Sequence, residues 1–245
     1  MPRNLLLISS SVVYGSGYLD HAAEEIQSLL GAAGARRVLF VPYALFDRDA
    51  YALRARDRFR ALGFALDSIH DAPDPKGAVR RAEALFIGGG NTFRLLAQLQ
   101  RLELLEPIRA RVREGMPYIG SSAGSNVAGP TLKTTKDMPI VEPESFSALG
   151  LVSFQISPHF LDPDPNSTHM GETQEERILQ FLEENETPVA GLREGAMLRV
   201  DGASIILKGR AGARIFSRDA EPMEVSPVAP VEKLLSGSPL ASPSS

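Results

Sequence analysis

The chain has 245 residues, of which 43% are hydrophobic and 23% charged, a composition that fits one large soluble α/β domain followed by a tail. A net charge of −4, without any cluster of Lys and Arg, argues against nucleic acid as the main partner, because phosphate binding needs concentrated positive charge. The absence of cysteine excludes disulfides, thiolate metal ligands and a cysteine nucleophile.

The first apolar stretch, "NLLLIS" at 4–9, reads as a strand rather than as the core of a signal peptide: Leu5–Ile8 is too short a run, and serines follow at once. Nothing approaches the roughly 18 apolar residues of a bilayer span, so the expectation is a protein that is not in the membrane and resides in the cytoplasm. A helix is expected over 18–30, with Leu19, Ala22, Ile26, Leu29 and Leu30 on one face. Strands at 37–42, 66–69 and 84–87, with helices at 49–62 and 75–82 between them, continue a βαβ alternation. The strands are continuous Leu, Val, Ile and Phe runs without polar alternation. The expected fold is therefore α/β, a three-layer sandwich with a largely parallel central sheet flanked by helices.

Helices over 91–99 and 105–114, a central strand at 117–120 and a helix starting at the serines come next, then a strand at 154–156. A helix at 171–185 would bury Ile178, Phe181 and Leu182, and a strand follows at 189–192. The short stretches 197–200, 204–207 and 214–216, joined by "DG" and "GRAG", predict a C-terminal antiparallel meander at the sheet edge. The domain is expected to span 1–218, leaving 219–245 as a Pro/Ser-rich tail in which "SGSPLASPSS" is disordered.

The stretch "GSSAG" at 120–124 fits G-x-S-x-G, whose small neighbours let the middle serine occupy a tight strand-to-helix turn with its hydroxyl exposed. That selects Ser122 as a candidate nucleophile at the C-terminal edge of the sheet, with the Ala123 N–H as an oxyanion donor. A serine needs a base, and the chain holds four histidines. His21 falls within the first helix, His70 ends an outer strand, and His169 lies in a loop. His159, in "QISPHFLDPD", follows a predicted central strand and is the favoured partner. Two carboxylates compete to orient its imidazole: Glu194, in "VAGLREGAML" after a predicted strand, and Asp137, in "TTKDMPI". Gly88-Gly89-Gly90-Asn91 ends one strand and opens a helix, with Asn91 as its N-cap. Its backbone N–H groups suit an anion, but the dinucleotide glycine spacing and a Walker lysine are missing, which favours an oxyanion over a phosphate. The segment "HFLDPDPNSTH" lacks metal-ligand spacing, so no metal is expected.

Together "GGGNTF" (88–93), "YIGSSAGSN" (118–126), "TTKDMPI" (134–140), "SPHF" (157–160), "GET" (171–173) and "GLREG" (191–195) resemble the peptidase E family, the α-aspartyl dipeptidases, in order and spacing from Leu5 to about Phe216. The resemblance implies a class I glutamine-amidotransferase-like fold with serine in the usual cysteine position. It implies release of N-terminal Asp from small peptides, with no metal or cofactor and with no nucleic acid or membrane partner; a homodimer stays open. By position it assigns Ser122, His159 and Glu194 to the triad, with Asp137 as an acid considered for the same role. It assigns Ala123, Gly89 and Gly90 to the oxyanion region; Asn91, Asp137, Glu172, Gln174 and Arg177 are expected to meet the substrate, with Asp137 or Glu172 on its α-amine. One departure stands out. The family pattern places Arg after "GET", a natural partner for an aspartyl side chain, whereas this chain has Gln174, with Arg177 one turn later. A cyanophycinase-like or isoaspartyl-type peptidase, and a catalytically silent binding module, are the alternatives on the same fold.

Overall fold

The computed structural model describes residues 3–168 and 170–236. Strands β1 (Asn4–Ile8), β2 (Arg37–Val41), β3 (Ala65–Ser68), β4 (Leu85–Ile87) and β5 (Tyr118–Ser121) run parallel. With β8 (Ala196–Asp201) and β9 (Ser204–Gly209), which are antiparallel, they form one seven-stranded sheet in the order β3-β2-β4-β5-β1-β8-β9. Successive side chains of a strand point to opposite faces, and here both faces are covered. Leu5 and Leu7 enter one core with α3 (Pro75–Arg81), α4 (Thr92–Arg101) and α5 (Leu105–Arg113). Leu6 and Ile8 enter a second with α1 (Ala23–Ala32) and α2 (Arg48–Ala61). Burial of each such side chain contributes roughly 1.5–3 kcal/mol, which explains why β1 is apolar from Leu5 to Ile8. The helix expected from Tyr18 begins instead with a 3-10 turn at Asp20–Ala22, after Leu19 adopts a left-handed φ of 58°.

The expected edge meander is split between two sheets. β8 and β9 pair as anticipated, but β10 (Ala213–Phe216) leaves them for a four-stranded sheet in the order β11-β10-β7-β6, with β11 (Met223–Val225), β7 (Val189–Leu192) and β6 (Gln155–Ser157). The side chains of β10 alternate, with Ala213 and Ile215 on one face and Arg214 and Phe216 on the other. Ile215 joins the core of the large sheet, while Phe216 packs with Phe160 beneath α7 (Gln174–Glu184). β6, expected in the central sheet, is the outer strand of this second sheet.

The domain also extends past 218. β11 and a short α8 (Glu232–Leu235) lie within the expected tail, and Val225, Val231 and Leu235 are buried there. A Pro-rich composition masked these three apolar anchors. Ser236 is the last described residue; the remainder of the stretch expected to be disordered, 237–245, lies outside the described residues, as does His169. Among the described residues no helix is long and apolar enough to cross a membrane.

Parallel pairing aligns the C-terminal ends of the strands that carry the site. Ile8 is in register with Ser121, and Ile87 with Gly120, so the loops after β1, β4 and β5 emerge side by side. β6 and β7 are likewise parallel and bring their own C-terminal ends to the same place.

Candidate active site

Ser122 stands between β5 and α6 (Ala123–Asn126) with φ 52° and ψ −111°, a strained conformation for a residue with a side chain. Its surroundings hold it there. The Ser122 N–H donates to Ile8 O at 2.9 Å, Ser125 Oγ to Ile8 O at 2.7 Å, and the buried Tyr118 hydroxyl to Gly124 O at 2.6 Å. The two glycines of G-x-S-x-G are required by close approach: a Cβ on Gly120 would meet Gly124 O at 2.5 Å, and one on Gly124 would meet Ile87 O at 2.1 Å. Asn126 Nδ2 donates to Ile156 O at 2.8 Å, tying α6 to β6 and so the first sheet to the second.

His159 is positioned by backbone contacts on both sides. Its own φ is 53°, its N–H donates to Ser9 Oγ at 2.9 Å, and its carbonyl accepts from Lys136 Nζ at 2.6 Å. Ser9 Oγ in turn donates to Leu192 O at 2.8 Å, so one hydroxyl joins the ends of β1, β6 and β7. The ring then spans two partners: Nε2 lies 2.9 Å from Ser122 Oγ, and Nδ1 lies 2.8 Å from Glu194 Oε1. A carboxylate only accepts, so Nδ1 carries the proton and Nε2 is left to accept from the serine hydroxyl. The imidazole is half-buried and the Glu194 side chain is 48% exposed.

Asp137 takes a different place. Its Oδ2 accepts from both Thr92 N and Thr92 Oγ1 at 2.6 Å, at the start of α4. Asn91 caps the same helix, Oδ1 accepting from Arg94 N at 3.0 Å, and its Nδ2 donates to Met138 O at 2.9 Å. These contacts lash the 135–138 loop to the Gly88–Asn91 turn.

That turn brings both candidate oxyanion donors, Gly89 and Gly90, to the cleft. Burial raises the Tyr51 phenol above its ordinary pKa, and the nearby Gly89 N–H opposes the rise. The Gly89, Gly90 and Ala123 N–H groups have no hydrogen-bond acceptor among the described residues. A Cβ on Gly89 would lie 2.9 Å from Ser122 Cβ, so the turn passes directly against the serine.

Ser122, His159, Gly90 and Asp137 line an open cleft of about 380 Å³, together with Tyr51 and Arg54. Glu172, Gln174 and Arg177 are not among its lining residues. Gln174 Oε1 accepts from Leu161 N at 2.9 Å, and Glu172 accepts from Gln180 at 2.8 Å and faces Arg177 Nε at 3.6 Å. Gln174 and Arg177 border a neighbouring cavity of about 70 Å³ with Lys136. His70 contacts Ser68 and Asp49 instead of the cleft, and His21 stands in the 3-10 turn.

The comparisons decide the lineage. The model of peptidase family S51 matches residues 5–208. The chain belongs to peptidase family S51. Peptidase E of Streptomyces coelicolor is 52% identical over 232 residues, covering 95% of each chain. A probable alpha-aspartyl dipeptidase of Drosophila melanogaster is 48% identical, covering 95% of this chain and 98% of that one. The crystal structure of a peptidase from an acI-B1 Actinobacterium superposes with a TM-score of 0.70 at 18% identity, covering 94% of this chain and 96% of that one, which shows the fold. This S51 member therefore has the mostly parallel α/β architecture read from its sequence.

Lys136 was missed by sequence reasoning, since one lysine in "LKTTKDMP" carries no positional signal. The residue as a whole is exposed, but burial of its ammonium group against the His159 carbonyl pulls its pKa down to about 8, while Asp137 and Glu194 pull it upward. Above pH 8 the amine becomes neutral and its hydrogen bond to the carbonyl weakens. Lys136→Met is expected to lower kcat about tenfold by loosening His159. The wild-type rate should decline with an ionisation near pH 8 that the variant lacks, which a pH profile of kcat checks.

Proposed function

We propose that the protein is a serine dipeptidase that hydrolyses the bond after an N-terminal aspartate in small peptides. The observation that carries this reading is the pair of hydrogen bonds through His159, to Ser122 at 2.9 Å and to Glu194 at 2.8 Å. Ser122 Oγ attacks the carbonyl of the first residue while His159 Nε2 takes its proton, and Glu194 holds the imidazole and stabilises its cationic form. The N–H groups of Ala123 and of Gly89 or Gly90 stabilise the developing oxyanion, each contributing roughly 3–4 kcal/mol in comparable sites. Collapse of the tetrahedral intermediate transfers the proton to the leaving amine and leaves an aspartyl ester on Ser122. Water, deprotonated by His159, then releases aspartate.

Relatives named peptidase E and alpha-aspartyl dipeptidase support the aspartyl preference. Asp137 is the better candidate for the substrate α-amine, because it lines the cleft, whereas Glu172 is engaged by Gln180 and Arg177 outside it. Release of amino acids from α-Asp-Leu, β-Asp-Leu, Ala-Leu and N-acetyl-Asp-Leu tests the reading. Cleavage confined to α-Asp-Leu is expected; comparable cleavage of β-Asp-Leu would move the protein to the isoaspartyl class, and no cleavage would favour a binding role.

A further inference from the structure

Helix α2 carries five arginines, and Arg56, Arg58 and Arg60 pair with Asp71, Asp20 and Asp57. Arg54 has no carboxylate partner among the described residues, although it is exposed and lies at the active-site cleft. Its guanidinium rests instead over two rings, 5.2 Å from the centroid of Tyr18 and 5.3 Å from that of Tyr51. Aromatic faces attract and orient a planar guanidinium without consuming its in-plane N–H donors, so the fork stays available to a carboxylate.

The platform is rigid and joined to the reacting centre. Tyr51 is 3% exposed, packs edge-on against Phe40 at 5.0 Å, and sets its hydroxyl against the glycine turn, where a Cβ on Gly88 would meet it at 2.3 Å. Among the residues lining the cleft around Ser122, Arg54 is the one Lys or Arg. Of the other side chains there, His159 is held by Glu194 and Ser122, and Asp137 is engaged by Thr92. The cleft is thus furnished with an unpaired cation, while Gln174 and Arg177 are held by contacts outside it.

We propose that Arg54 is a specificity-determining residue that binds a carboxylate of the substrate in the Ser122 cleft. An aspartyl dipeptide offers two, the side chain of its first residue and its C-terminus. This assignment rests on the peptidase reading of the site.

The test measures kcat and KM for α-Asp-Leu, α-Asp-Leu-amide and α-Asn-Leu with wild type, Arg54→Gln, Arg54→Lys and Ser122→Ala, each first shown by circular dichroism to be folded. Arg54→Gln is expected to lower kcat/KM for α-Asp-Leu about tenfold to a hundredfold, mainly through KM, with partial recovery in Arg54→Lys. If the C-terminal carboxylate is the partner, the preference for α-Asp-Leu over its amide shrinks by that factor. If the side chain is the partner, the preference over α-Asn-Leu shrinks. Wild-type values of both ratios in Arg54→Gln, whatever the absolute rates, would overturn the assignment. No turnover by wild type would instead overturn the peptidase reading itself, and turnover by Ser122→Ala would overturn Ser122 as its nucleophile, whereas an active wild type and an inactive Ser122→Ala with unchanged ratios in Arg54→Gln remove only Arg54.

Discussion

His159→Asn is expected to lower kcat by about 10⁵–10⁶-fold, and adding Ser122→Ala to it should cost almost nothing further. The pair acts as one device: without the imidazole at 2.9 Å, the Ser122 hydroxyl keeps its proton, and without the hydroxyl the imidazole has nothing to activate. Asn is the chosen replacement because His159 has a φ of 53°, a conformation Asn tolerates better than most residues, so the fold should survive. Residual turnover would come from the donors of Ala123 and of Gly89 or Gly90 and from binding alone. Single and double variants assayed on α-Asp-Leu check this. Losses that multiply would mean that the two residues act independently.

The second large effect is at Glu194. Glu194→Gln leaves a group of similar shape beside Nδ1 but offers an amide that can donate to it, which stabilises the wrong imidazole tautomer. A loss of about 10⁴-fold in kcat is expected. Asp137→Asn should cost less than about tenfold in kcat, because that carboxylate binds Thr92 at the start of α4 and has no hydrogen bond to the imidazole. If Asp137 receives the substrate amine, its loss appears in KM. An Asp137 variant that loses more kcat than the Glu194 variant would remove Glu194 from the triad.

The strands of the large sheet were legible because burial on both faces leaves an unambiguous apolar run, as in "NLLLI" and "RVLFV". Ser122 was legible for a related reason: the glycines that let β5, α6 and β4 approach within contact leave a pattern in the sequence. Sheet membership was not legible, since Ala213–Phe216 has the same local character whether it pairs with β9 or with β7. His159 was chosen as following a central strand, yet it reaches Ser122 from the second sheet, through Ser9 and Asn126. Ser9 carried a weak signal, a polar residue ending a buried strand; Arg54, one arginine in an arginine-rich helix, carried none.

The most direct measurement is release of aspartate from α-Asp-Leu by wild type and by Ser122→Ala, at equal concentration, with a chelator present and both proteins shown to be folded. Rapid release by wild type and none by Ser122→Ala is the predicted result. Release by Ser122→Ala at a rate within tenfold of wild type would contradict the assignment of Ser122 as nucleophile.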